Sequence, residues 1–536
     1  MMNKNNLPIY FALAIILGIF IGTYFNSGGN SNSLFAKKST NEAKIKRLID
    51  FIQKDYVDSI NTDDLLDGAI TQMLGKLDPH SVYIPKENLQ AVRENMQGNF
   101  VGIGVQFRMI KDSITVIQPI KGGPSIKAGI KAGDRILLAN KDTLYGKKMN
   151  SNAVPKFLKG EQDTKINLQV YRKSNDSLFN INLIRGKVAI KSVDVSYMVN
   201  DSIGYIKLER FARTSYREFK AALRKLQDKG MTDLVLDLRG NGGGFIDIAN
   251  KIVDEFLEND KLIVFTKDNK GNIDKSFATN RGTFEKGGLY VLIDQNSASA
   301  SEIVAGALQD NDRGITIGRR SFGKGLVQEE RDLGDGSAVR LTIARYYTPT
   351  GRSIQKPYVK GKGKNYSRDL NNRARNGELL SRDSIKVVDS LQFKTPKGKI
   401  VYGGGGIIPD VFVPVDTTSY LSRFHFNGVS NFAFDLVDNN RKKLSERDLI
   451  DFIENYNIDK EFENYLKSIN QSSTQLETRK TRSKFFKPMD ELTKKTLKQY
   501  LKATIASQIY GDDGFYRVIQ SNDKMLLKVL ELESSN

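Results

Sequence analysis

The stretch from Leu289 to Gln328, LYVLIDQNSASASEIVAGALQDNDRGITIGRRSFGKGLVQ, constrains this chain more than any other part of it. The apolar run Leu289 to Ile293 predicts a buried strand. A polar turn follows, then a helix whose apolar positions Ile303, Val304, Ala307 and Leu308 keep a 3.6-residue period. A second run, Ile315 to Ile317, returns the chain as a parallel neighbour of the first strand. In a strand–turn–helix unit, side chains at the helix start project from the carboxyl edge of the sheet, where backbone N–H groups are free. Ser297, Ser299 and Ser301 occupy that start, and Lys324 lies one strand further on. The pattern sets a hydroxyl nucleophile against an amine.

What is missing narrows the chemistry. With no cysteine, thiol catalysis and Cys-ligated zinc are excluded. The two histidines are His80, in the turn-like segment DPHSVYIP, and His425, near a late helical region. A Ser-His-Asp triad would have to recruit one of them through folding, and no motif surrounds either. A lysine base needs no histidine. Buried among apolar groups, an ammonium loses hydration and its pKa falls, so a neutral amine able to accept a serine proton becomes accessible. Nothing in the sequence calls for a metal or another cofactor.

At 536 residues the chain exceeds a single core and predicts several domains. Its net charge of +20, from 82 basic and 62 acidic residues, invites a nucleic-acid reading. The cations are spread along the whole chain without an aromatic-interleaved basic motif, so no nucleic-acid partner is expected. Leu7 to Phe25 is an uncharged apolar run of 19 residues, long enough to span a hydrocarbon core of about 30 Å. The flank SGGNSNSLFAKKST offers no convincing small-x-small cleavage site, which favours an uncleaved anchor over a cleaved signal.

Ile45, Leu48, Ile49 and Ile52 mark a first amphipathic helix; Leu65, Leu66, Ile70, Met73 and Leu74 mark a second, with Asp63 as its N-cap. From Asn99 to Arg185 the texture turns β-rich and glycine-punctuated. The strand FVGIGVQF, the strand ITVIQPI, a tight turn at Gly133-Asp134, a helix over Ala153 to Leu158 and a closing hairpin follow in order. This order resembles a circularly permuted bacterial PDZ domain. The resemblance implies that Val101, Gly102, Ile103, Gly104 and Val105 present backbone N–H groups to a peptide's terminal carboxylate while a strand edge pairs with the peptide. Alternating strands and helices then resume, and DLVLDLRGNGGG reads as a buried strand ending in a glycine loop. Such a loop cradles anions. A phosphate site would want a GKS or GKT ending, which is absent. As an oxyanion hole, Gly243 would aim its N–H at a developing oxyanion beside an N–H from the residue after the nucleophile.

The helical lead-in with DPHSVYIP, the PDZ-like module, DLRGNGGG, SASASEIVAGALQD, GRRSFGKGLVQ, RYYTPTGRSIQ and GGGGIIPDV stand in one order from Ile45 to Val415. In that order the chain strongly resembles the tail-specific, or carboxyl-terminal processing, serine proteases. The resemblance implies that Ser299 is the nucleophile, Lys324 the general base and Gln328 its positioning partner. It also implies oxyanion donors at Gly243 and Ala300, and an apolar C-terminal tail as the part of the substrate that the PDZ module reads and that releases a gate over the site. Arg135, in the GDRI segment, is a gating candidate linking PDZ module and active site. By the residues alone, the choice among the three serines stays open.

The expected fold is multidomain α/β + β: a crotonase/Clp-protease-like α/β protease core with an inserted PDZ domain, a helical N-terminal segment and a helical C-terminal extension. Its expected boundaries are a short tail over 1–6, an anchor or signal segment over 7–25 and a linker over 26–40. A helical domain over 41–97, the PDZ domain over 98–186, the Ser/Lys protease core over 187–418 and the extension over 419–536 follow. Lys356 to Arg382 reads as a basic loop, and the extension as a device for self-association, partner docking or gating, or as plain scaffold. The expected setting is a bacterial envelope, inner-membrane anchored with the protease in the periplasm, or secreted after signal cleavage. Its partners would be proteins with accessible C-terminal tails. A non-catalytic PDZ adaptor and a crotonase-like thioester enzyme are the competing readings. The first has no chemical need for Ser299, Lys324 and Gln328 together, and the second leaves the PDZ-like module unexplained.

Overall fold

Short apolar strands followed by amphipathic helices set the architecture of the computed structural model, which describes residues 12–18, 40–146, 149–418, 421–474 and 489–534. Two compact units divide between Gln72 and Met73. The first holds helix α1 (Thr40–Asp55) and the start of α2 (Thr62–Gly75). Of the apolar run Leu7 to Phe25, only 12–18 is described, as helix; the rest lies outside the described residues. Among the described residues no helix is long and apolar enough to cross a membrane.

The second unit opens with β1 (Val82–Ile84) and α3 (Lys86–Gln97). Gly98, at φ 76°, ends α3 and turns the chain into β2 (Asn99–Gly102). A five-strand path follows: β3 (Val105–Ile110), β4 (Ser113–Pro119), β5 (Arg135–Ala139), β6 (Lys165–Arg172) and β7 (Ser177–Ile184), with helix α4 (Val154–Leu158) between β5 and β6. Ile114, Val116, Ile136, Leu168 and Val170 fill its core. The chain leaves through β8 (Gly186–Ala189), which pairs antiparallel with β2, Asn99 facing Ala189 and Gly102 facing Gly186. Entry and exit strands thus clasp each other, so the module is inserted without disturbing what surrounds it. β3 is an edge strand of the module's sheet, as strand addition requires.

The central sheet runs β9 (Val193–Met198), β10 (Ile203–Leu208), β11 (Asp233–Asp237), β14 (Leu289–Ile293), β15 (Ile315–Gly318) and β18 (Val411–Phe412), parallel except for the antiparallel β9–β10 pair. One face is covered by α5 (Ser215–Gln227), α6 (Ile246–Asp254) and α7 (Ala300–Asp310) through Phe219, Leu223, Ile252, Val304 and Leu308. A second, antiparallel sheet holds β12 (Leu262–Asp268), β13 (Ile273–Phe277), β16 (Leu326–Asp332) and β17 (Ala338–Tyr347), and β1 joins it along β17. DPHSVYIP, expected within a helical domain over 41–97, is therefore built into the protease core. Asp78 accepts the N–H groups of His80 and Ser81, and Ser81 Oγ accepts the Thr342 N–H of β17. Residues 356–382 are not a plain loop. Short helices Gly363–Ser367 and Asp369–Arg375 form there because Arg373 is buried, donating to the carbonyls of Ser321 and Arg320 and to Glu378.

The extension folds as α8 (Arg423–Ser445), α9 (Leu449–Asn455), α10 (Asp459–Thr474), α11 (Glu491–Tyr510), α12 (Asp512–Gln520) and α13 (Lys524–Ser534). Val429, Val437, Phe452, Leu497 and Leu501 give it a core of its own. It is more than an appendage, because Met525, Leu526 and Val529 of α13 pack on Tyr205, Val235, Leu292 and Ile317, the second face of the central sheet. Arg239 binds Asp523 at 2.6 Å, and Tyr290 donates to Glu533 at 2.6 Å. A parallel sheet must be covered on both faces, and here the C-terminal helix supplies the second cover. Leu526→Ala is therefore expected to destabilise the protease core by about 2–4 kcal/mol, the range for truncating a buried leucine, seen as a lower Tm of the core transition; an unchanged Tm would mean that α13 does not cover the sheet in solution.

Candidate active site

Ser299 stands where β14 hands the chain to α7, as the residue preceding the first helical turn, with φ 57° and ψ −115°. A non-glycine residue at positive φ costs on the order of 1–3 kcal/mol and persists only where its surroundings over-determine it. Here they do. The Ser299 N–H donates to Glu302 Oε2 at 2.9 Å, and Ala298 N–H to the Asn241 carbonyl at 3.0 Å. Gly243 comes so close that a Cβ on it would stand 2.8 Å from the Ser299 Cβ. Geometry separates the three serines. Ser297 Oγ donates to the Leu238 carbonyl and Ser301 Oγ to the Asn241 carbonyl, both residues being fully buried. Ser299 lines a cavity of about 460 Å³ together with Gly243, Ala300, Lys324, Gln328, Arg340 and Tyr346.

Glu302 ties the serine to the lysine. Its buried carboxylate accepts the N–H groups of Ser299, Gly323 and Lys324 at 2.9, 2.7 and 2.8 Å, and the Ser321 hydroxyl at 2.5 Å. Burial pushes its pKa up against those four donors. From the other side the Tyr346 hydroxyl donates to the Lys324 carbonyl at 2.6 Å and lies 3.1 Å from that of Ser299. The Ser-x-x-Glu spacing of a capping box is a sequence signal that could have pointed to Glu302; Tyr346 stands within RYYTPTGRSIQ, but the motif alone gives it no role.

The Lys324 amine donates to Gln328 Oε1 at 2.6 Å, and Gln328 Nε2 donates to the His80 carbonyl at 2.5 Å. A register shift between Val327 and Gln328 falls where this side chain must turn toward the amine. Among the described residues no hydrogen bond joins Ser299 Oγ and Lys324 Nζ, and no carboxylate is in an ion pair with the amine. Burial lowers the lysine's pKa and the Arg340 guanidinium lowers it further, while Glu302 and Asp78 oppose from a distance. His80 has no part in a triad: its ring bonds Tyr366 OH at 2.8 Å, and burial depresses it to about 4. His425 caps the start of α8, its Nδ1 accepting from the Ser422 N–H at 3.0 Å.

Two expected donors differ. The Ala300 N–H finds no acceptor among the described residues, whereas the Gly243 N–H donates to Asn241 Oδ1 at 2.8 Å and is occupied in this arrangement. Arg135 does not line the catalytic cavity. It pairs with Asp438 of α8 at 2.8 Å and lies over the Phe434 ring, so the structure links it to the C-terminal extension instead of the active site. In the PDZ-like module, Ile103, Gly104 and Val105 line a small apolar groove with Phe107, Pro155 and Leu158, and the Ile103 and Gly104 N–H groups have no acceptor among the described residues. Val101 and Gly102 lie just ahead, in β2.

A strained serine on a helix start, the Ala300 N–H without an acceptor among the described residues and a desolvated amine make a site for hydroxyl-nucleophile chemistry. Residues 202–362 match Peptidase family S41, and residues 101–183 a PDZ domain. Residues 25–88 match the activating protease CtpB N-terminal domain, and 424–511 a family of unknown function. The carboxy-terminal-processing protease of Bartonella bacilliformis is 40% identical over 319 residues, 58% of this chain and 72% of that one. The carboxy-terminal processing protease CtpB of Bacillus subtilis is 33% identical over 317 residues, 58% of this chain and 65% of that one. Among solved structures, the photosystem II D1 C-terminal processing protease aligns over 59% of this chain and 84% of its own at 30% identity, with a TM-score of 0.33. The chain belongs to the S41 family of carboxy-terminal processing serine proteases, with a PDZ domain inserted ahead of the peptidase core.

Glu302→Ala is expected to leave the N–H groups of Ser299, Gly323 and Lys324 unpaired in a buried place, at about 1–3 kcal/mol for each group left without water. Thermal denaturation should show that loss together with loss of peptidase activity. Activity retained at a lowered Tm would show that Glu302 stabilises the fold without holding the site.

Proposed function

We propose that the chain cleaves proteins near their C-termini with a Ser299/Lys324 dyad, the PDZ domain receiving the apolar C-terminal tail. The observation that carries this reading is the partly buried Lys324 amine, in no ion pair among the described residues and held by Gln328 at 2.6 Å on the cavity that Ser299 lines. Neutral Lys324 takes the hydroxyl proton as Ser299 Oγ attacks the peptide carbonyl. The oxyanion is received by the Ala300 N–H, joined by the Gly243 N–H once it leaves Asn241 Oδ1. Lys324 then protonates the leaving amine and, in the second half, draws the proton from the water that hydrolyses the acyl-enzyme. Gln328 orients the amine through a neutral amide oxygen, which favours the ammonium form far less than a carboxylate would.

The edge position of β3, the Ile103 and Gly104 N–H groups, which meet no acceptor among the described residues, and the apolar groove beside them support tail recognition by strand addition. The uncharged run Leu7 to Phe25 supports a membrane tether. Carbonate extraction of membranes and N-terminal sequencing of the mature chain test that tether: a chain that is carbonate-extractable and begins beyond Phe25 would overturn it.

Incubated with a folded protein carrying an apolar C-terminal tail, the chain should shorten it, and Ser299→Ala and Lys324→Ala should each reduce turnover by at least about 10³-fold, as losses of dyad members do. Turnover surviving either substitution would refute the dyad. The pH profile has a defined sign. The protonated amine is inactive, so kcat/KM rises with pH through the Lys324 pKa, and burial places that midpoint below the 10.5 of a free lysine. Arg340→Gln removes a cation that lowers this pKa, and the rising limb should move to higher pH; a limb that stays in place would exclude Lys324 as the titrating base.

A further inference from the structure

We propose that Lys159 is the cation that receives the carboxylate of the substrate's tail, and that Glu94 of α3 occupies it beforehand as an intramolecular stand-in. The inference rests on tail recognition by the PDZ domain and adds to it a charged subsite and a route to the catalytic cavity.

Lys159 follows α4 directly, its N–H bonding the Pro155 carbonyl. It lines the groove with Phe100, Ile103, Gly104, Val105, Phe107, Pro155 and Leu158, and the Ile103 and Gly104 N–H groups of that groove have no acceptor among the described residues. The preceding Leu158 carbonyl lies 3.5 Å from where a Gly102 Cβ would be, so the end of α4 and the glycine segment are in contact. The Lys159 amine also stands 4.8 Å from the centre of the Phe100 ring. An apolar groove with two free N–H groups and an ammonium at one end suits an apolar chain ending in a carboxylate.

In this structure that ammonium is ion-paired with Glu94, which comes from outside the PDZ domain. Glu94 belongs to α3, whose Arg93, Met96 and Gln97 line the catalytic cavity. Arg93 binds Glu330 at 3.0 Å, and Glu330 binds Arg340 at 2.9 Å, beside the Lys324 amine. One helix thus sets a carboxylate on the lysine that lines the peptide groove and neighbouring residues along the catalytic cavity. The pair is partly exposed, at 33% for the Lys159 side chain and 12% for Glu94, so an arriving carboxylate can exchange for Glu94 without opening a buried core. The exchange breaks the Glu94–Lys159 tie between α3 and the PDZ domain at the moment the tail is bound.

The test uses the full chain carrying Ser299→Ala, so that nothing is cleaved, and a fluorescein-labelled peptide ending Val-Ala-Leu. The peptide is supplied with a free terminal carboxylate, as its C-terminal amide, and as an amide carrying one internal Asp. The free acid should bind more tightly than either amide by fluorescence anisotropy. Glu94→Gln should tighten the acid about three- to fivefold, the scale of a partly exposed ion pair, and leave the plain amide unchanged. Lys159→Met should erase the preference and Lys159→Arg should keep it, which separates loss of the cation from loss of the fold. Equal binding of acid and amide, or a Glu94→Gln effect shared by both, would overturn the proposal. An internal Asp that substitutes fully for the terminal carboxylate would overturn the terminal assignment. If no peptide binds at all, tail recognition itself fails.

Discussion

One carboxylate decides where the reacting groups of this protease stand. Glu302 receives the N–H of the nucleophile and the N–H of the base from two different chain segments, and the Gly323 N–H and the Ser321 hydroxyl complete its shell. The serine can then occupy a left-handed backbone conformation that it would not hold alone. The same shell aligns the segment that leads into β16, and from there the bulge at Val327–Gln328 brings an amide to the lysine amine. From the base a chain of contacts passes outward: Gln328 to the His80 carbonyl, His80 to Tyr366, and the Asp78 turn to β17.

That outward chain explains why the lead-in segment is part of the machine. DPHSVYIP reads as a turn after two helices, yet its backbone provides the second anchor of Gln328. The C-terminal extension is similar in kind. Its last helix closes the back of the central sheet, and its first long helix holds the PDZ domain through Asp438, which is bound by Arg135 and Lys173 at 2.8 and 3.3 Å. The peptidase core is thereby held between two segments that lie at opposite ends of its sequence.

Much of this was legible in the chain. The strand–turn–helix at 289–310, the parallel return at Ile315, the glycine loop and the inserted β module follow from periodicity and turn chemistry, and their core residues lie where those patterns predict. Ser299, Lys324 and Gln328 came from motif resemblance, and the geometry adds why Ser297 and Ser301 differ: their hydroxyls serve backbone carbonyls. Long-range pairing was not legible. Whether Arg135 meets the active site or Asp438 depends on how domains dock, and a local motif carries no information on that. The Gly243 N–H differs for a local reason: its acceptor is the Asn241 side chain two residues earlier, an Asx turn in a loop that periodicity does not describe.

The account stands on an amine that loses its charge because the fold strips water from it and sets a guanidinium nearby. A ¹³Cε-lysine titration of the Ser299→Ala chain, with the Lys324 resonance assigned by its disappearance in Lys324→Arg, measures this directly. A resonance titrating below the 10.5 of a free lysine is the predicted result. A Lys324 that titrates at or above that value would be a cation throughout the working range and could not serve as the base.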